Sequence, residues 1–294
     1  MLAGMCLHLA LAAALALLAA DAAAWSSTEF VNLETGTQAV FLEDGAISST
    51  EQVQSGTVLV NGVATKRVRT VAGPDLGWED FLTNDGSGFR GHRSVAPPPD
   101  SDGFLFNTPF VSLPGTFSTG QSFAQNDATA TYFYPGVGSF PMQYDVSSLV
   151  VGVETVVVPA GTFTALRVDS TLVITGTIFG EFVSTSSTGS DWYVRHLMAV
   201  KSAGTIDGEP YTTELTSHNV VLCGDLTLNG VVAANDVAVY RSALAGALAF
   251  TSPQLARCNT IAPTGCNVRD LAVLRREVSG PLLAPGVSRV CVTP

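Results

Sequence analysis

From Trp25 to about Val221 the apolar residues recur at every second position, the period of a strand with one buried face. TVLVNGVATKRV, Thr57 to Val68, sets Asn61-Gly62 between two β-rich runs, and that dipeptide supplies the positive φ angles a two-residue hairpin turn requires. WEDFLTNDGSGFRGHR predicts a second hairpin turning near Asp85 to Gly88, and VETVVVPAGTFTALRVDSTLVITG a third around Pro159-Ala160-Gly161. The runs Phe179 to Ser186, Ser190 to Val194, Ala199 to Ile206 and Tyr211 to Val221 continue the meander, while PPPDSDG, Pro97 to Gly103, is a loop or flexible flap. The expectation for residues 25–221 is an antiparallel β domain built as a curved sheet or open barrel.

The alternation stops near Leu222. DVAVYRSALAG, Asp236 to Gly246, then aligns with DLAVLRREVSG, Asp270 to Gly280, at an offset of 34 residues. Each copy carries apolar residues at helical spacing, Val237, Tyr240 and Leu244 in the first and Leu271, Leu274 and Val278 in the second, and each ends on a glycine suited to a helix C-cap. Residues 222–294 therefore read as a second, small α-helical domain whose two amphipathic helices pack face to face.

Composition places these domains outside the cytoplasm. Met1 to Ala24 holds an apolar run from about Leu7 to Ala20 and then Ala22-Ala23-Ala24, the h-region and small-residue site of a signal peptide, so the mature chain is expected to begin near Trp25. No Lys or Arg precedes the run, which leaves an uncleaved anchor as the alternative, although the run is short for a bilayer span. A formal charge of -11 argues against nucleic acid and anionic membranes as partners, because both select basic patches. Beyond the leader the cysteines are Cys223, Cys258, Cys266 and Cys291, all in the second domain. An exported segment of about 70 residues makes a marginal core, so the four read as disulfides; their spacing lacks the close CxxC pairs usual in zinc sites.

Upstream of the first helical repeat, Asp225, Thr227 and Asn229 stand at positions 1, 3 and 5 of a twelve-residue loop, with Gly230 at 6, the Val231 carbonyl at 7 and Asp236 at 12. Alternate side-chain oxygens and one carbonyl, wrapped by a glycine turn, form a calcium site. With the repeat, these residues resemble the dockerin type I module over roughly Cys223 to Cys291. The resemblance implies an EF-hand-like helical domain that binds calcium and docks onto cohesin domains or another cell-surface protein. It places partner recognition at Ala234, Asn235, Arg241 and Ser242 in copy one and at Val268, Arg269, Arg275 and Arg276 in copy two. Asn259 and Asp270 match positions 1 and 12 of the second loop, but Ile261 and Pro263 at 3 and 5 offer no side-chain oxygen, so one calcium is expected. The same resemblance suggests a Cys258 to Cys266 bridge in place of the second metal, and a Cys223 to Cys291 bridge clasping the module's ends. In the first domain VPAGTFTALRV, DWYVRHLMAVKSAG and TELTS resemble a family of exported bacterial β proteins with a PAGTF turn, over about Ser147 to Ser217. That resemblance implies an open barrel similar to lipoprotein-carrier folds and no chemistry. Arg195-His196-Leu197-Met198 stands where the family has a small, Gly-rich turn.

No nucleophile elbow, HExxH or phosphate-binding glycine loop is present. His92, His196 and His218 are scattered and read as core or surface residues. Glu79 and Asp80 beside Trp78 could serve a glycan site, but neighbours on a strand point to opposite faces. The expectation is a secreted, non-enzymatic protein attached through its second domain. The alternative is a carrier of a small apolar or glycan ligand, or a hydrolase, working in the concavity of the β domain.

Overall fold

The computed structural model describes residues 24–220, 224–227, 234–251, 254–255, 258 and 266–279; residues 1–23, Cys223, Asn229, Val231, Asn259, Ile261, Pro263 and Cys291 lie outside them. After β1 (Trp25–Ser26) and a 3-10 turn (Ser27–Glu29) come β2 (Gln38–Glu43), β3 (Ile47–Val53), β4 (Val58–Val60), β5 (Val63–Ala72), β6 (Glu79–Asp85), β7 (Gly88–Val95) and β8 (Gly103–Pro114). Next are β9 (Thr116–Phe117), β10 (Ser122–Tyr134), β11 (Gly138–Val158), β12 (Gly161–Ile178), β13 (Glu181–Val194), β14 (Met198–Ile206) and β15 (Glu209–His218). Two helices follow, α1 (Ala234–Leu244) and α2 (Val268–Ser279).

The sheet closes. Its order runs β3-β2-β15-β14-β13-β12-β11-β10-β8-β7-β6-β5-β4, and β3 also pairs with β5, from Val53 opposite Val68 to Thr50 opposite Ala72. Of these thirteen strands all but β4 lie on the ring, so the barrel has twelve strands. The open barrel expected from sequence is thus a closed one, which leaves no free edge on the ring to pair with another chain.

The hairpins form where turn chemistry puts them. Val60 pairs with Val63 around Asn61 (φ 50°) and Gly62 (φ 79°), Asp85 with Gly88, and Val158 with Gly161. One reading needs correction: Phe179 and Gly180 form a turn, and the two runs that follow, to Ser186 and from Ser190 to Val194, belong to a single strand, β13, whose Gly189 lies where an added Cβ would meet Tyr211 Oη at 2.7 Å. The Pro97 to Gly103 loop is tied down rather than a loose flap. Ala96 donates to the Asp102 carbonyl at 2.8 Å, and Tyr132 donates its hydroxyl to the Asp102 carboxylate at 2.5 Å.

Twelve strands enclose more space than their own side chains fill, and the first residues of the barrel domain occupy part of it. Trp25, Phe30 and Val31 form one buried cluster with Leu113, Val150, Leu166, Val168 and Tyr193. Asn84 fastens this segment by donating to the carbonyls of Ser27 (3.3 Å) and Val31 (2.7 Å). Arg195 places Nη2 2.6 Å from Glu29 Oε2, and the His196 amide donates to the Glu29 carbonyl at 2.7 Å. The β13 to β14 turn therefore holds without its expected glycine: His196 takes φ 58°, and the N-terminal segment stabilises the turn from inside. Aromatic residues pack a second part of the interior, with Phe106, Phe110 and Tyr144 in mutual contact at 5.7 to 5.9 Å.

In the helical segment Leu226, Val237, Tyr240, Cys258 and Leu274 form a separate buried cluster. Val237 and Tyr240 meet the other helix as their spacing predicts, and Tyr240 stacks edge-on against Phe250 at 5.3 Å. Leu244 does not join them; it is exposed on the last turn of α1.

Candidate functional site

The proposed calcium loop begins with Gly224 at positive φ (93°), which turns the chain so that Asp225 and Leu226 are buried. The Leu226 carbonyl accepts from Gln254 Nε2 at 2.7 Å, fixing the loop to the segment after α1. Asp236, on the first turn of α1 and fully buried, reaches back nine residues: its Oδ1 accepts the Thr227 amide at 2.7 Å and the Thr227 hydroxyl at 2.9 Å. Positions 3 and 12 of the loop thus meet through a hydroxyl and a buried carboxylate, and Asp225 at position 1 is buried; oxygen donors of these kinds are the hard ligands that the calcium implied by the dockerin resemblance would take. Among the described residues no three His, Cys, Asp or Glu side chains cluster as a metal site, so such a loop relies on hydroxyl, amide and carbonyl donors as well. Those assigned to Asn229 and Val231 are outside the described residues.

In the second copy the matching aspartate stands at a helix N-terminus. Asp270 is also fully buried, but its Oδ2 accepts the Asn267 amide at 3.0 Å while Asn267 Oδ1 accepts the Arg269 amide at 2.8 Å. That is the reciprocal arrangement of a capping box, which satisfies the free amides at the start of α2. In copy one the residue aligned with Asn267 is Ala233, which has no capping oxygen. Asp236 thus holds Thr227 of its loop, and Asp270 caps the start of α2. Cys258 and Cys266 are joined as a disulfide, with Cα atoms 5.3 Å apart. Asn235, Arg241 and Arg275 are exposed and Ser242 is half-buried; the side chain of Arg276 lies outside the described residues. Asn235 also donates to Thr227 Oγ1 at 3.4 Å, so it touches the loop as well as the surface.

The barrel interior holds chemistry that no motif announced. Pairing carries one face around the ring from Thr213 to Glu43, Phe41 to Ser49, Glu51 to Thr70, Val68 to Asp80 and Asp80 to Ser94. Glu43, Glu51, Asp75 and Asp80 line a cavity of about 250 Å³ there, together with Ser49, Val68, Thr70 and Trp78. Burial, then Asp80, then Glu43, raise the Glu51 carboxyl to about 7. Burial also pushes Asp80 up, although Ser94 Oγ donates to it at 2.6 Å and Trp78 Nε1 donates to that hydroxyl at 2.9 Å. Glu79 points the other way, 3.3 Å from Arg67 and 3.8 Å from Arg69, as the alternation of a strand requires. Only the Trp78-Glu79-Asp80 stretch hinted at this cavity; Glu43, Glu51 and Asp75 come from separate parts of the chain and carry no shared signature.

A second interior cavity of about 140 Å³ is bordered by Ser148, Ser170, Asp191 and Tyr211, and burial raises Asp191 as it accepts the Ser202 hydroxyl at 2.5 Å. The first cavity is thus acidic, whereas the second sets Phe110, Val111, Val146 and Leu172 beside its polar groups. On β10 to β14 an open groove of about 700 Å³ carries Ser122, Ser147, Thr171, Ser190 and the paired Arg167 and Asp169. Of the histidines, His92 is a core residue: it is buried, its Nε2 meets Thr83 Oγ1 at 2.9 Å, and burial, then Arg90, lower its pKa.

No protein-family model matches the chain, and no curated protein is similar to it in sequence. Three solved structures are similar in part. A provisionally described lipoprotein from Parabacteroides distasonis is 11% identical, with 66% of this chain and 99% of that one covered and a TM-score of 0.32. A provisionally described exported protein with a YmcC-like fold from Bacteroides fragilis is 14% identical, covering 65% and 99%, at 0.30. The hypothetical lipoprotein YmcC from Escherichia coli is 8% identical, covering 62% and 83%, at 0.31. Likeness of this degree carries no argument about what the chain does.

Proposed function

We propose that the chain is an exported, non-enzymatic protein whose β barrel is the body and whose residues 222–294 form a dockerin-like module for calcium-dependent attachment to a protein partner. The contact of Thr227 with Asp236 supports this most directly, because it joins positions 3 and 12 of the loop beside buried Asp225. Calcium here is structural. It fixes the start of α1 and so presents Asn235, Arg241 and Ser242, with Arg275 and Arg276 from the second copy, to a cohesin-like or cell-surface partner. Only two carboxylates contribute, so affinity falls below that of a sensor site.

Calorimetry on the full chain should give one calcium per molecule. Asp225→Ala should abolish binding and Asn259→Ala leave it unchanged. A stoichiometry of two, or no binding at millimolar calcium, overturns the reading. The second reading, a lipid or glycan carrier or a hydrolase, draws on the open groove with its Ser and Thr walls and the Arg167 and Asp169 pair. Chemical-shift changes confined to β10 to β14 on adding oligosaccharides would favour it.

A further inference from the structure

The acidic cavity between β2, β3, β5 and β6 lies far in sequence from the attachment module and has no part in that reading. Ser49 and Thr70 are 4% and 8% exposed, both border this cavity, and neither hydroxyl has a hydrogen-bond partner among the described residues. Hydroxyls and carboxylates that face a cavity without a protein partner are satisfied there by water or by a ligand. We propose that this cavity binds a compact organic cation bearing a primary ammonium group, held by Glu51 and Asp80 and hydrogen-bonded by Ser49 and Thr70.

Each part of the wall answers a part of such a ligand. Four carboxylates border the cavity, and neither Lys nor Arg does. The basic groups nearby are engaged elsewhere: Arg67 and Arg69 with Glu79, Arg93 over the Phe81 and Phe133 rings, and Lys201 with Glu214 at 2.6 Å. Lys66, also on β5, is not a wall residue. Among the described residues the carboxylates do not converge as a metal site, so the cation they hold is an organic one. A volume of about 250 Å³ is below the roughly 300 to 1,000 Å³ of ordinary small-molecule sites, so the ligand is compact. Trp78, 36% exposed beside Asp75, presents an aromatic surface to the cation as it enters. Asp80 is already held by Ser94 and so is preorganised, whereas Glu51 carries no bond to give up.

Binding is coupled to a proton. Near neutral pH Glu51 is partly protonated, because burial and the carboxylates of Asp80 and Glu43 favour its neutral form. An ammonium group reverses that preference, so the proton leaves as the cation arrives and affinity rises with pH through about 7.

The test is titration of the full chain with ethanolamine hydrochloride, followed by calorimetry in two buffers of different ionisation enthalpy. At pH 8 ethanolamine should bind once per chain, at pH 5.5 at least tenfold more weakly, and at pH 7 with release of a fraction of a proton. Glu51→Gln with Asp80→Asn should remove binding while the far-ultraviolet spectrum stays that of a β barrel, and Ser49→Ala should weaken it several-fold. Unchanged binding in the double variant, no binding at millimolar ethanolamine, or equal displacement by sodium or calcium chloride would overturn the proposal. Asp225→Ala, which tests the attachment module, should leave ethanolamine binding intact, so the two readings fail separately.

Discussion

Glu51 shows how a single buried carboxyl couples stability to pH. Its pKa stands at about 7 against an ordinary 4.5, so between those values the folded chain retains a proton that the unfolded chain has released. Stability from this group therefore falls as pH rises through that window, opposite to the usual carboxylate. Glu51→Gln should raise stability at pH 8 by roughly 2 to 3 kcal/mol and change little at pH 4.5, as urea denaturation at the two values would show. At the second helix, Asp270→Ala removes the reciprocal cap on Asn267 and should cost about 1 kcal/mol by the same measurement without altering calcium binding. Both roles escape a reading by residue type. Asp236 and Asp270 are aligned by the repeat, yet the contacts each makes, Thr227 for the one and the Asn267 amide for the other, come from the folded chain and not from the residue type.

Among the elements, the segment from Trp25 to Val31 has the most to hold in place. Arg195 and Glu29 form an ion pair whose side chains are 5% and 16% exposed, so removing one partner leaves a charge stranded in the interior. Arg195→Met should destabilise the barrel by about 3 kcal/mol, and adding Glu29→Gln should recover part of that, measured by thermal unfolding. A full loss with no recovery would mean that packing of Arg195 over the Phe30 ring, at 5.8 Å, outweighs the charge. The bridge from Cys258 to Cys266 closes a loop of sequence separation 8. Reducing it should cost about 2.5 kcal/mol on a chain-entropy account, seen as earlier unfolding of the helical segment in hydrogen exchange. Hairpins were legible here because Asn61-Gly62 states its turn locally; the β13 to β14 turn was not, because its support comes from Glu29, far away in sequence.

For the whole molecule, the pairing of β3 with β5 turns a sheet into a ring, and the halt of strand alternation near Leu222 sets the barrel apart from the helical repeat. Limited proteolysis should cut near residues 219–223 and release a fragment of about 70 residues that resists digestion only when oxidised, a size at which a core needs staples. Simultaneous loss of both parts would count against the boundary. What the sequence by itself determined was local: the period of two, the turns at Asn61-Gly62 and Asp85 to Gly88, the repeat with its faces at Val237, Tyr240 and Leu274. Each depends on neighbours within a few positions, where propensity and spacing act. What only the tertiary structure decided was everything that depends on pairs distant in sequence. Ring closure rests on Val53 meeting Val68 at a register no local pattern states, and Glu43, Glu51 and Asp80 become one charged cavity only because closure turns their faces inward. A carboxylate on a strand reads as solvated surface until the sheet curves around it, since burial and the field of distant charges are properties of the closed barrel and not of the residue.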